Sequence, residues 1–126
     1  DTLTGSWSSV ASLPGTSREG AVGLSMCGNG YVSSGGTPYW PYAHYNDLWQ
    51  YDPLQNWWYS LASCPSAQKR YITGFVIDSS LYIGTGCTSG FDPSTYYYWD
   101  FWRYSINVMT DVYTASTDNI RAWLNP

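Results

Sequence analysis

Apolar residues in this chain fall in short runs that alternate with polar positions or are closed by glycine. No window keeps the three- to four-residue spacing of an amphipathic helix. Ala21–Met26 is a strand of small, mostly apolar residues, ended by a turn at Cys27-Gly28-Asn29-Gly30. Tyr31–Ser34 is a second strand and stops at Gly35-Gly36. Asp47–Tyr51 alternates, with Leu48, Gln50 and Asp52 on one face and Asp47, Trp49 and Tyr51 on the other. Asp52-Pro53-Leu54-Gln55-Asn56 reads as a turn, its early proline favouring type I geometry. Trp57–Ala62 is the fourth strand. The pattern then begins again, predicting strands at Ile72–Ile77, Leu81–Thr85, Asp100–Tyr104 and Met109–Ala115.

The recurrence is an internal repeat. A shift of 51 positions lays Trp7-Ser8-Ser9-Val10-Ala11-Ser12-Leu13-Pro14 on Trp58-Tyr59-Ser60-Leu61-Ala62-Ser63-Cys64-Pro65. It also lays Arg18 on Lys69, Gly23 on Gly74, Tyr31 on Tyr82, Gly35 on Gly86 and Thr37 on Thr88. Residues 7–37 give 9 identities in 31 positions. The following loop is two residues longer in the second copy, and the shift becomes 53, so that Tyr45, Asp47, Trp49 and Tyr51 fall on Tyr98, Asp100, Trp102 and Tyr104. The chain therefore divides into repeat one, about residues 18–63, and repeat two, about 69–116. An extra strand at 7–11 precedes them and a tail at 117–126 follows. The expected fold is all-β: two four-stranded units plus that N-terminal strand. Double glycines at strand ends admit positive φ and close sheet approach. Aromatics at repeated positions fill the wedge between adjacent sheets.

Composition narrows the partners. The 126 residues suit one domain or part of one. Charged residues are 11% and aromatics 19%, with 13 Tyr and 8 Trp, which excludes a disordered chain. The net charge of -4 and five scattered basic residues exclude nucleic acid as a partner, because phosphate binding needs clustered Lys and Arg. No run of about 18 apolar residues exists, so no membrane span is expected. The three cysteines, Cys27, Cys64 and Cys87, form no Cys-x-x-Cys pair, and His44 is the only histidine. A zinc site is not expected. Buried free thiols are the expected state, and a Cys64–Cys87 disulfide is the alternative.

Gly35-Gly36, Asn46-Asp47-Leu48-Trp49-Gln50-Tyr51-Asp52-Pro53, Asn56, Trp57-Trp58 and Leu61-Ala62-Ser63-Cys64-Pro65 together resemble the Kelch repeat. Arg18-Glu19-Gly20-Ala21-Val22-Gly23, with Gly30-Tyr31-Val32, is similar to the Kelch repeats of secreted bacterial proteins. The second unit departs from the pattern at Cys87, at Ser105-Ile106 and at Asp111. The resemblance implies blades of a β-propeller, which closes with about 4–8 blades. Two blades leave apolar faces uncovered, so other copies of the chain, or the rest of a longer propeller, are the expected partners. Together with the Lys-poor, Ser- and Tyr-rich composition, it implies a secreted or cell-surface location.

In Kelch propellers, loops at one end commonly bind the ligand. Carried onto this chain, they supply Tyr39, Trp40, Tyr42, His44 and Tyr45 from the first unit, and Phe91, Tyr96, Tyr97 and Trp99 from the second. These rings would stack on a glycan or on protein side chains. Arg18 and Lys69 stand where the family often presents a base near the channel mouth, where it would bind a carboxylate or hydrogen-bond loop carbonyls. Asp47 and Asp100 repeat and are expected to be structural, capping a turn or accepting a backbone N–H. No cofactor and no catalytic residue is expected, and the reading is a non-enzymatic module. An enzyme fragment of the galactose-oxidase or sialic-acid-mutarotase kind is the rival, and a galactose-oxidase copper site would need more histidines than His44.

Overall fold

The computed structural model describes residues 5–88 and 94–106. Seven strands follow one another: β1 (Val22–Met26), β2 (Asn29–Ser33), β3 (Leu48–Asp52), β4 (Trp57–Leu61), β5 (Thr73–Ile77), β6 (Ser80–Gly84) and β7 (Phe101–Ser105). They form two antiparallel meanders, β1-β2-β3-β4 and β5-β6-β7. No helix occurs among the described residues, and none there is long and apolar enough to cross a membrane. The all-β architecture is as the pattern predicts. The strand expected at Met109–Ala115, Phe91 and the tail at 117–126 lie outside the described residues.

The repeat is written in the backbone as well as in the residue types. Gly20 and Tyr71 have φ of 63° and 57°, Cys27 and Asp78 of 52° and 51°, Ser34 and Thr85 of 62° and 59°, Gly35 and Gly86 of 93° and 99°. Three of these pairs carry at least one non-glycine residue in the left-handed region, which costs strain. The fold therefore imposes the turn geometry at equivalent places whatever residue stands there. At Gly35 glycine is needed for a second reason: an added Cβ would lie 2.8 Å from the Glu19 carbonyl oxygen.

The two sheets pack face to face. Val22, Leu24 and Met26 of β1 alternate with Gly23 and Ser25, so one face of β1 is apolar. Met26, Tyr31 and Leu48 of the first sheet meet Leu81 of the second in a buried cluster, with Leu24, Val76 and Tyr104 packed against it. Full burial of side chains such as Leu48 and Leu81 contributes about 1.5–3 kcal/mol each. Gly74 allows the close approach, since a Cβ there would lie 3.2 Å from Leu24 Cδ1. Backbone hydrogen bonds seal the junction. Gly35 N donates to Lys69 O at 3.0 Å, Lys69 N to Tyr45 O at 3.2 Å, and Tyr71 N to Gly20 O at 2.8 Å.

Two expectations are corrected. Trp7–Ala11 carries no strand within this chain. The segment is instead held through side chains: Ala11 N donates to Asn56 Oδ1 at 2.8 Å, and Trp58 Nε1 donates to Ala11 O at 2.9 Å. A strand needs a backbone edge to pair with, and these side-chain tethers provide none. The thiols are free, as expected, and the alternative Cys64–Cys87 disulfide is absent, but only Cys87 is buried: Cys64 is intermediate and Cys27 exposed. Each backbone is pinned elsewhere, Cys64 N on Asn46 O at 2.8 Å and Cys87 N on Arg70 O at 3.0 Å.

Candidate functional site

The β2–β3 and β6–β7 loops and the linkers ahead of β1 and β5 gather the chain's paired charges. In the first blade Arg18 grips Asp47 with both arms of its guanidinium, Nη1 to Oδ1 at 2.6 Å and Nη2 to Oδ2 at 2.9 Å. Trp49 Nε1 donates to Asp47 Oδ2 at 2.8 Å, and the guanidinium lies 4.6 Å from the Tyr45 ring centroid. Arg18 Nη1 also donates to Ser34 O at 3.1 Å. A bidentate, charge-assisted pair fixes orientation as well as charge.

The second blade repeats this device with different residues. Lys69 Nζ donates to Asp100 Oδ1 at 2.5 Å, and Trp102 Nε1 donates to Asp100 Oδ2 at 2.6 Å. The ammonium lies 5.0 Å from the Tyr98 ring centroid. A lysine has no second arm, and Ser66 Oγ takes that place, donating to Asp100 Oδ2 at 2.5 Å. Burial alone would push the Asp100 carboxyl up, but the hydrogen bonds from Lys69, Ser66 and Trp102 outweigh it and hold it at about 2. Tyr45–Arg18–Asp47–Trp49 and Tyr98–Lys69–Asp100–Trp102 are thus one four-residue unit used twice.

A third ion pair joins the blades. Arg70 Nη1 donates to Glu19 Oε1 at 2.6 Å, and the Tyr71 hydroxyl donates to the same oxygen at 3.2 Å. The guanidinium lies 5.1 Å from the Tyr71 centroid and 5.9 Å from that of Tyr42.

These contacts sort the candidate residues. Arg18, Lys69 and Tyr45 are brought together, but into the scaffold, with their cations already matched to carboxylates. His44 is half-buried beside Gly36. Burial, and then the Arg70 charge, lower its pKa, so its imidazole is neutral at pH 7. Tyr39, Trp40, Tyr42, Tyr96, Tyr97 and Trp99 stand exposed, Trp40 and Trp99 each at 83%. The sequence reading missed the cations and indoles around Asp47 and Asp100, where it expected a turn or a backbone N–H. It also missed Ser66 and the Glu19–Arg70 pair. The available signal was the repeat itself, which lays a cation on a cation and an acid on an acid.

The exposed rings sit on pinned loops. Thr37 Oγ1 accepts from Ala43 N at 2.9 Å and donates towards the Tyr39 and Pro41 carbonyls. Thr88, its counterpart, accepts at Oγ1 from Tyr96 N at 3.2 Å. Tyr96 meets Tyr98 edge-on at 4.8 Å between centroids. Between the blades, Leu48, Cys64, Ile83, Trp102 and Tyr104 line an apolar cleft of about 190 Å³. Burial raises the Cys64 pKa, so its thiol stays protonated there. No group of three or more metal-type side chains occurs among the described residues.

Among solved structures, that of YjhT is similar to this one, with 27% identity and a TM-score of 0.61. The match covers 69% of this chain and 27% of YjhT, so the chain spans about a quarter of that protein's length. The likeness and the two meanders define a propeller-like all-β fold, of which this chain holds a part. No family model and no curated protein sequence matches the chain.

Proposed function

We propose that the chain is a non-enzymatic binding and structural module of Kelch-like propeller blades. It acts outside the cell and presents aromatic loops to a glycan or protein ligand. The observation that carries this reading is a contrast: Arg18, Lys69, Arg70 and their carboxylates are paired, while six Tyr and Trp rings stand exposed on pinned loops. Rigid exposed rings give contact area at little entropic cost, and their faces suit the C–H surface of a pyranose. Binding of the intact chain to a glycan array tests it. The expected result is binding lost in Trp40→Ala and Trp99→Ala, with stability unchanged within about 0.5 kcal/mol. Silence across the array, or binding untouched by both variants, overturns the glycan form of the reading.

A second reading, part of a larger propeller enzyme of the sialic-acid-mutarotase or galactose-oxidase kind, is favoured by the match to only 27% of YjhT. Stoichiometric copper in the purified protein would select the oxidase form.

A further inference from the structure

The same operation that carries the first blade onto the second, applied once more, carries the second onto a blade outside this described chain. Among the described residues, each sheet packs one face against the other sheet and turns its second face away from it. The packed face of the first sheet holds Leu24, Met26, Tyr31 and Leu48. Its counterparts on the second sheet are Phe75, Ile77, Tyr82 and Phe101, and this face is open. Phe75 is 46% and Ile77 52% exposed. Phe75 stacks on Tyr82 and Phe101 at 5.2 and 5.4 Å, a continuous apolar strip. Gln50 is replaced by Arg103, whose aliphatic stem can lie along such a face with its charge at the rim.

The opposite face of the first sheet is turned away from the second sheet and is half-buried, with the Ala11 end of the N-terminal segment tethered over it at Trp58. It carries Gly23, Val32, Trp49 and Tyr51, the counterparts of Gly74, Ile83, Trp102 and Tyr104. Gly23 is the telling residue. It sits inside β1, where glycine weakens a strand and usually marks a close approach. Yet a Cβ there would meet nothing within 4 Å. At Gly74 the group approaching from the other sheet is Leu24; at Gly23 no described residue takes that place.

Two junction positions point to what fills the gap. Glu19 and Arg70 are equivalent and opposite in charge, and they bond to each other. Gly20 and Tyr71 are equivalent and opposite in size, and the Tyr71 ring occupies the space a Gly20 Cβ would need, 2.9 Å away. One further step sets Arg70 beside the next blade's residue at that position, and Tyr71 beside its neighbour. A second copy of this chain offers Glu19 and Gly20 there, so both pairings recur with their order reversed.

We infer that the open face of the second sheet, Phe75, Ile77, Tyr82 and Phe101, docks head-to-tail on the Gly23, Val32 and Trp49 face of another copy of the chain. The inference rests on the propeller-blade reading above and specifies its partner. The interface is heterologous, and repetition gives a ring where its rotation closes; the usual blade numbers correspond to about two to four copies. Gly5, with φ of 55° against 50° at Asn56, starts the Trp7–Ala11 segment with the same left-handed turn that precedes β4.

The test uses two variants of the full chain, measured by sedimentation. Ile77→Asp spoils one face and Gly23→Val the other. Wild type is expected to be oligomeric, each variant alone monomeric, and their equimolar mixture a 1:1 dimer joined through the two intact faces. Gly23→Val placed in the Ile77→Asp chain should not lower its melting temperature, because the added side chain meets open space. A monomeric wild type, a variant that keeps the wild-type mass, or two folded variants that do not combine would each overturn the inference. Mass is read with no ligand present, so a failure of ligand binding at the loops is scored separately.

Discussion

Glu19 and Arg70 occupy the same place in successive blades, carry opposite charges and bond to each other at 2.6 Å. Arg70 is almost wholly buried, while Glu19 keeps an open side. A buried cation that loses its partner costs more than the pair gains, because its desolvation is then uncompensated. Arg70→Glu likewise leaves a buried charge uncompensated, a carboxylate now facing the Glu19 carboxylate, and is expected to destabilise the chain by about 3 kcal/mol in urea denaturation. The exchanged double variant, Glu19→Arg with Arg70→Glu, should recover more than half of that loss. Equal destabilisation in the single and double variants would mean that position, not pairing, is what matters.

Asp100 gives the fold an acid limit. Its carboxyl is held at about 2 in the folded state, against 3.8 for an ordinary aspartate. A carboxyl lowered by folding contributes stability that is complete above the ordinary value and disappears as pH falls through the lowered one. Stability should therefore drop between about pH 4 and pH 2. Asp100→Asn leaves Lys69 buried without its counter-charge and should cost about 3 kcal/mol at pH 7. The variant should also lose this part of the acid dependence, as urea titrations at a series of pH values would show. An unchanged acid slope would mean the carboxylate is not held as the geometry requires.

The thiols provide an independent check of the blade junction. Cys27 is exposed on its turn, Cys64 lines the cleft and Cys87 is buried. Burial raises the Cys64 pKa and keeps it as the unreactive thiol. A thiol reagent should label one cysteine quickly in the native protein and all three in urea. A single labelled cysteine in urea without reductant would restore the disulfide.

The strand pattern and the repeat were legible in the sequence because both rest on local spacing. Leu48 and Trp49 alternate as a strand requires, and Gly35 and Gly86 mark the same left-handed turn. The second blade shows the limit of residue types. Cys87 stands where Gly36 has no room for a side chain, a Cβ at Gly36 falling 2.5 Å from Ala43 O. The later loop is two residues longer, yet Cys87 keeps the same bridge, to Tyr97, that Gly36 makes to His44. The candidate site was legible only as a list of rings and charges. Spacing along a chain cannot say which groups are paired, and pairing moved Arg18, Lys69 and Tyr45 from the rim into the scaffold. The cations that meet Asp47 and Asp100 lie about thirty positions away in sequence, where no local rule reaches.

Sedimentation equilibrium of the wild-type chain across concentration tests the central claim most directly, that these blades are completed by further copies. The account predicts a whole-number multiple of 14.2 kDa, at least twofold, that does not grow further with concentration. A cooperatively folded species that stays at 14.2 kDa throughout would contradict it.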